Sequence, residues 1–285
     1  MNPQNARPRV VACLPAWNAA SFIQPTLESL QAQTYPNLHV LISDDASPDA
    51  TWPLLESFIA GKPRFTAHRQ PVNLGWIGNV NWLLDHAEGD YVFFAFHDDP
   101  LEPTYVERLV DALESAPEAV LAYTDVVVDF RGADEAWVRT LGYPDLDRVA
   151  SARERLRILA PMQGLWWIPN RGLFRKAAAL RIGGMRRHLA GEFCADWPWL
   201  IHLSLLGAFV RVPEPLVRKV WSEEGLSKSW RWSAYRRVCV RIACLTEILR
   251  ADLPWRERAR LLADFAGYWL RRWSRVPGRL FGMRS

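Results

Sequence analysis

Tyr91-Val-Phe-Phe-Ala-Phe-His-Asp-Asp99 is the stretch that decides how this chain folds. An uncharged apolar run stops abruptly at a histidine and two adjacent acids. A short, continuous apolar run marks a strand buried on both faces. Carboxylates at the end of such a strand need a cation, a metal or a ligand beside them. The flanking sequence repeats the pattern. Val10-Val-Ala-Cys-Leu14 is an apolar strand ended by Pro15 and followed by Asn18. Leu38-His-Val-Leu-Ile42 is a second strand, stopping at Ser43-Asp44-Asp45, and Phe65-Thr-Ala-His68 reads as a third. Between them, Ser21–Gln33, Pro48–Ile59 and Gly75–Ala87 carry apolar residues at helical spacing.

This β-α-β-α-β-α-β order predicts an α/β fold with a mostly parallel sheet and helices on both faces. In such sheets ligands bind beyond the carboxyl ends of the strands. Asn18, Asp44, Asp45, Asp98 and Asp99 all fall there and are expected to converge. No Gly-x-Gly-x-x-Gly loop follows the first strand, which argues against a dinucleotide fold of the NAD type. Further on, residues 101–118 read as a helix and Ala119–Phe130 as a strand. Residues 131–160 are polar and Arg-rich and read as loop plus helix. A helix is expected from about Asp196, then an extended stretch over Val210–Val220, and only helix beyond Ser229.

The composition is that of a globular protein, with 23% charged and 49% hydrophobic residues among 285. Disorder, collagen and coiled coil are poor descriptions of it. The net charge of +4 conceals an uneven split. Residues 1–229 hold 22 cations and 27 acids, whereas residues 230–285 hold 13 arginines and 4 acids. Leu261, Leu262, Phe265, Tyr268 and Trp269 share one helical face, opposite Arg256, Glu257, Arg260, Asp264 and Arg271. Trp230, Trp232, Trp255, Trp269 and Trp273 lie among the arginines. Two uses suit such a segment: docking on an anionic membrane surface, or packing on the body or on another subunit. No nucleic-acid recognition motif accompanies the charge. Cys13, Cys194, Cys239 and Cys244 show no zinc spacing and suit a reducing compartment. No signal region and no apolar run of about 20 residues is present. The expected location is cytoplasmic, or peripheral on the cytoplasmic face of the membrane.

Four motifs in register carry a resemblance. Leu14-Pro-Ala-Trp-Asn18, Ser43-Asp-Asp-Ala-Ser-Pro-Asp49, Asn73-Leu-Gly75 and His97-Asp-Asp99 resemble the GT-A fold family 2 glycosyltransferases, over about residues 8 to 228. The resemblance implies a catalytic domain over 1–229 and a basic helical extension over 230–285. The nucleotide-binding half would cover about 8–130 and the acceptor half about 131–229. It implies an inverting transfer of a sugar from a nucleotide-diphosphate donor, UDP favoured, to a hydroxyl of a glycan or lipid-linked glycan. By resemblance, Asp99 holds a divalent metal, Mn²⁺ or Mg²⁺, that meets the donor diphosphate. Asp98 faces the ribose or the ion's outer shell, and Asp45 accepts the N3–H of a uracil-type base. Pro15, Trp17, Asn18, Asn73 and Asn79, with Asn81, line the nucleotide pocket. Asp196 is the base that takes the acceptor's proton, with Glu192 as fallback. Trp166, Trp167, Asn170 and Arg171 lie toward the acceptor.

Each assignment has a plainer rival: a solvated turn for Asp98-Asp99, helix capping for Ser47, Asp49 and Asp196, core packing for the Trp residues. His97 is either a ligand or a residue that orients its neighbours. One departure from the pattern stands out. Val217-Arg-Lys-Val-Trp-Ser222 lacks the histidine expected near the end of the domain. Arg218, Lys219 or Lys228 would then supply charge to the diphosphate. A catalytically silent nucleotide-sugar binder, or a membrane-docking scaffold, of the same fold remains the alternative.

Overall fold

The computed structural model describes residues 7–131, 136–161, 165–221 and 233–273. Strand β1, Val10–Ala16, is buried along its whole length. It pairs in parallel with β2, Leu38–Asp44, on one side and β4, Tyr91–Phe94, on the other. Strand β3, Phe65–Arg69, closes that edge, parallel to β2. Helices α1 (Gln24–Gln31), α2 (Thr51–Ile59) and α3 (Gly75–His86) are the crossovers. Pro15 does not end the strand as expected; it stays in register opposite Ser43. Helix α1 begins later than its apolar spacing suggested, with Pro25 in its first turn, where a missing N–H costs nothing.

Beyond α4 (Tyr105–Glu114) the sheet turns antiparallel. β7 (Leu173–Arg175) inserts antiparallel between β4 and β5 (Ala119–Arg131). β6 (Ala136–Leu141) is antiparallel to β5, and β8 (Ala208–Trp221) runs parallel to it. Two of these strands carry weak sequence signals. β6 falls in the stretch expected to be loop plus helix; its residues are mostly exposed, so no apolar alternation marks it. β7 is three residues long. The helix expected in that stretch is α5 (Ala152–Leu159), capped by the Ser151 hydroxyl accepting the Glu154 N–H. α6 (Lys176–Ile182) follows β7, and Gly183 ends it at φ 78°.

Helix α7, Asp196–Leu206, is buried nearly all round. The reason lies in the C-terminal segment. α8 (Ala234–Arg250) and α9 (Trp255–Trp273) pack against it and against α5, and Cys244, Ile248, Leu261 and Phe265 join the same hydrophobic core as β1. Phe265 stands 6.4 Å from the Trp197 ring, and Arg153 pairs with Asp264. The buried Glu247 carboxylate meets His202 of α7 at 2.7 Å and Arg250 at 2.8 Å. So the basic extension spends its inner face on the catalytic body. Lys228, Trp230 and Trp232 lie outside the described residues, as do the side chains of Arg271 and Trp273.

Candidate active site

The acids expected to converge do so at the carboxyl ends of β1, β2 and β4. Three residues there or nearby adopt the left-handed backbone that non-glycine residues avoid: Asn18 (φ 48°) after β1, Ala46 (φ 56°) after β2 and Cys194 (φ 49°) before α7. Such strain survives only where the surroundings hold it, and it gathers at functional sites. The turn after β2 is tied to that after β1, because the Ser47 hydroxyl accepts the Asn18 N–H at 3.0 Å.

Asp45 is buried and faces the start of α3. Its Oδ1 accepts the Leu74 N–H at 2.7 Å, and Asn73 Nδ2 donates to its carbonyl at 3.0 Å. Burial raises its pKa, opposed by the Leu74 and Gly75 amides. Asp45 therefore fastens the Asn73-Leu74-Gly75 turn through its carboxylate and its carbonyl. Asn79 donates to the Ser43 carbonyl at 3.0 Å, while Asn81 is tied to Met185 instead. The Oδ1 atoms of Asn18, Asp44 and Asn79 are buried without a partner among the described residues. Unpaired buried acceptors call for water or a ligand donor. Trp17 is 43% exposed, an aromatic face open to a base.

The two acids after β4 part company. Asp99 is 2% exposed, and Arg171 Nε donates to its Oδ2 at 2.6 Å. Lys219 Nζ lies 3.4 Å from its Oδ1. Both oxygens are engaged, so Asp99, the residue expected to hold a metal, is half of a buried ion pair. Asp98 is the open acid, at 35% exposure, with Lys219 Nζ 3.9 Å away. Burial would push its pKa up, but Lys219, His97 and Arg171 outweigh that and hold it below the ordinary carboxylate range. His97 Nδ1 lies 3.1 Å from the Pro15 carbonyl, and Thr26 donates to the His97 carbonyl. His97 thus ties the end of β4 to β1, as an orienting residue does.

Arg171 is the hub of the side expected to meet the acceptor. Its guanidinium lies between the rings of Phe96 (5.2 Å) and Trp167 (5.0 Å), and NH1 donates to the Trp167 carbonyl. The preceding residue, Asn170, donates to Asp196 Oδ2 at 2.8 Å. Asp196 is the first residue of α7, and Ala195 occupies the cap position. Burial pushes its pKa up to about 6, and Arg171 works against that. A carboxylate raised to that range can take up a proton near neutral pH. Glu192, the fallback base, is spoken for: its oxygens accept the Trp76 and Ile77 amides that open α3 and pair with Arg187. Trp166 packs on Trp197, 6.2 Å between rings, while Trp167 covers Arg171. Among the described residues no group of three or more His, Cys, Asp or Glu could hold a metal ion.

A parallel sheet carrying these acids at its strand ends, backed by an antiparallel half that delivers Asp196, is the GT-A arrangement. The chain belongs to glycosyl transferase family 2, whose model matches residues 11–171. It is 30% identical over 220 residues to an uncharacterized glycosyltransferase of Haemophilus influenzae, covering 73% of this chain and 64% of that one. The chain spans less than two thirds of the length of the curated relatives that it matches. Among solved structures, S. aureus TarS 1-349 in complex with UDP-GlcNAc superposes with a TM-score of 0.68 at 19% identity, over 90% of this chain and 71% of that one. The mannosyltransferase PcManGT from Pyrobaculum calidifontis, in complex with GDP-Man and Mn2+, gives 0.53 at 18% identity, over 95% and 84%.

Proposed function

We propose that this glycosyltransferase moves a sugar, with inversion, from a nucleotide-diphosphate donor to a hydroxyl of a glycan or lipid-linked glycan, and that Asp196 is the base. One observation carries this reading. The Asp196 carboxylate, with its pKa near 6, is aimed by Asn170, and the Asp98–Asp99 cluster connects to the same turn through Arg171. The acceptor hydroxyl gives its proton to Asp196 as its oxygen attacks the anomeric carbon. The bond from that carbon to the diphosphate breaks on the opposite face, and its electron pair leaves on the diphosphate oxygen. Water-excluded, preorganised charge at that oxygen supplies the rest of the acceleration.

Solved neighbours with UDP-GlcNAc and with GDP-Man support a nucleotide-sugar donor. UDP is favoured here by Asp45, a carboxylate acceptor for an N3–H at the end of β2. The neighbour with Mn2+ supports a divalent ion. Of the two acids only Asp98 has an open carboxylate, so Asp98 rather than Asp99 would hold Mn²⁺ or Mg²⁺, jointly with donor phosphate oxygens. That suits a hard ion that uses one or two carboxylates plus substrate phosphates. Such an ion would neutralise charge on the leaving diphosphate. An Asp196→Asn variant tests the reading: transfer should fall by about 10²- to 10⁴-fold with nucleotide affinity kept. Unchanged transfer would remove Asp196 as base, and a wild type that binds donor without ever transferring would favour the silent-binder alternative.

The membrane reading is favoured by the outer face of α8. Tyr235, Val238, Ile242 and Leu249 are exposed there, and the helix's one acid, Glu247, is buried inward. No helix among the described residues is long and apolar enough to cross a membrane. An apolar stripe with arginines and no exposed acid suits the surface of an anionic bilayer. Flotation with phosphatidylglycerol vesicles should be lost in a Val238→Glu/Ile242→Glu variant; equal flotation would sink the membrane role.

A further inference from the structure

We propose that Lys219 is a diphosphate-binding cation built into the site, so that nucleotide binding does not depend on a metal ion. The proposal rests on the nucleotide-sugar reading above. The backbone places Lys219 with precision. Immediately after Asp99, the chain pairs with β8: the Arg218 N–H donates to the Pro100 carbonyl at 2.9 Å and the Glu102 N–H to the Leu216 carbonyl at 2.9 Å. A bridge between Leu101 and Val217 fixes that register. Side chains alternate along a strand. Lys219 therefore turns toward Asp98 and Asp99, while Arg218 turns away to Asp129, 3.4 Å distant. Of the three cations that the sequence offered in place of the absent histidine, the fold thus brings Lys219 to the acids. Lys228 lies outside the described residues.

Charge and geometry say what Lys219 is for. Asp99 already has a close guanidinium partner, Arg171 at 2.6 Å, so it does not need a second cation. Lys219 makes one long hydrogen bond to it, 3.4 Å, and at 3.9 Å from Asp98 it makes none there. An ammonium has three N–H donors. Among the described residues no partner takes the other two, on a side chain only 17% exposed, beside Asp98. A strongly hydrated cation held so loosely in a nearly closed place is paired with something more anionic than the protein offers. Two carboxylates and two cations cancel, so this cluster alone gives a diphosphate no net attraction. Contact of the Lys219 ammonium with the phosphate oxygens, closer than either carboxylate comes, gives attraction without changing that balance, and leaves Asp98 open for an ion when one is present. Lys219 makes or breaks no covalent bond; its role is to bind and position the leaving group.

The test is calorimetric titration of UDP into the full-length protein, in EDTA and in Mn²⁺. Wild type should bind UDP in EDTA within about tenfold of its affinity in Mn²⁺. Loss of one charge-assisted contact should weaken Lys219→Gln in EDTA by roughly 10- to 100-fold, and less in Mn²⁺. Arg218→Gln, on the other side of the strand, should bind as wild type does, and thermal melts of both variants report whether they fold. Binding by wild type only in Mn²⁺, or a folded Lys219→Gln that binds normally in EDTA, overturns the proposal while leaving the transferase reading in place. No binding of UDP or GDP under either condition overturns both.

Discussion

Asp196 has two properties that pull against each other. Burial lifts its pKa to about 6, above the ordinary value of about 4. The folded state then holds the proton more tightly than the unfolded chain does. Ionised Asp196 therefore costs stability above pH 6, and the cost fades as pH falls through that value. Transfer should lose activity along the same limb, falling tenfold per pH unit below about 6. Asp196→Asn should thus be slow yet more stable, with a melting gain of a few degrees at pH 7.5 that vanishes toward about pH 4. A variant that melts no higher at pH 7.5 would show that the carboxylate is not strained. The Asp99–Arg171 pair is the second test at this scale. Arg171→Met strands a buried carboxylate and should cost about 3 kcal/mol, and Asp99→Asn in the same chain should recover part of it. Additive losses in urea unfolding would contradict the coupling. The carboxylates themselves were legible in the sequence, because acids that end apolar strands stand out. Which of the adjacent pair faces outward was not. That depends on Arg171, which is 72 residues away in sequence and arrives only through the fold.

Short elements with no pattern of their own place the site. The single 3-10 turn Pro169–Arg171 presents Asn170 to Asp196 and Arg171 to Asp99, and Gly172 joins it to β7. A Cβ on Gly172 would sit 2.4 Å from the Ala122 carbonyl of β5. Gly172→Ala must therefore push β7 off β5, with a cost of about 2 kcal/mol or more and lower transfer from a displaced Asn170 and Arg171. Wild-type melting and activity in that variant would mean that the turn is too loose to need the glycine. Glu192 makes the opposite case. It caps the start of α3 from 115 residues away, so Glu192→Ala should lower stability by about 1 kcal/mol while transfer falls far less than in Asp196→Asn. The parallel half of the sheet was readable because β1, β2 and β4 are apolar on both faces. The antiparallel half was not, because β6 is exposed and β7 is three residues long, so backbone pairing rather than side-chain burial defines them.

At the scale of the whole molecule, an acidic body and a basic extension form one core. The amphipathic pattern of residues 255–273 announced a buried face but not its partner, since any docked helix shows the same pattern. Its partners are α5 and α8, and Phe265 reaches Trp197 of α7, the helix that begins with Asp196. Removing residues 255–285 should therefore expose Trp197, lower the melting temperature by roughly 10 °C or more, and lower transfer with it. A truncated chain that melts like the full one would make the extension an independent appendage. All of these roles presuppose that the ends of β1, β2 and β4 hold a nucleoside diphosphate. Thermal shift of the full-length protein with a panel of nucleoside diphosphates, each with and without Mn²⁺, measures that directly. UDP should raise the melting temperature, more than GDP does, with a further rise in Mn²⁺. No shift with any nucleotide in either condition would contradict it.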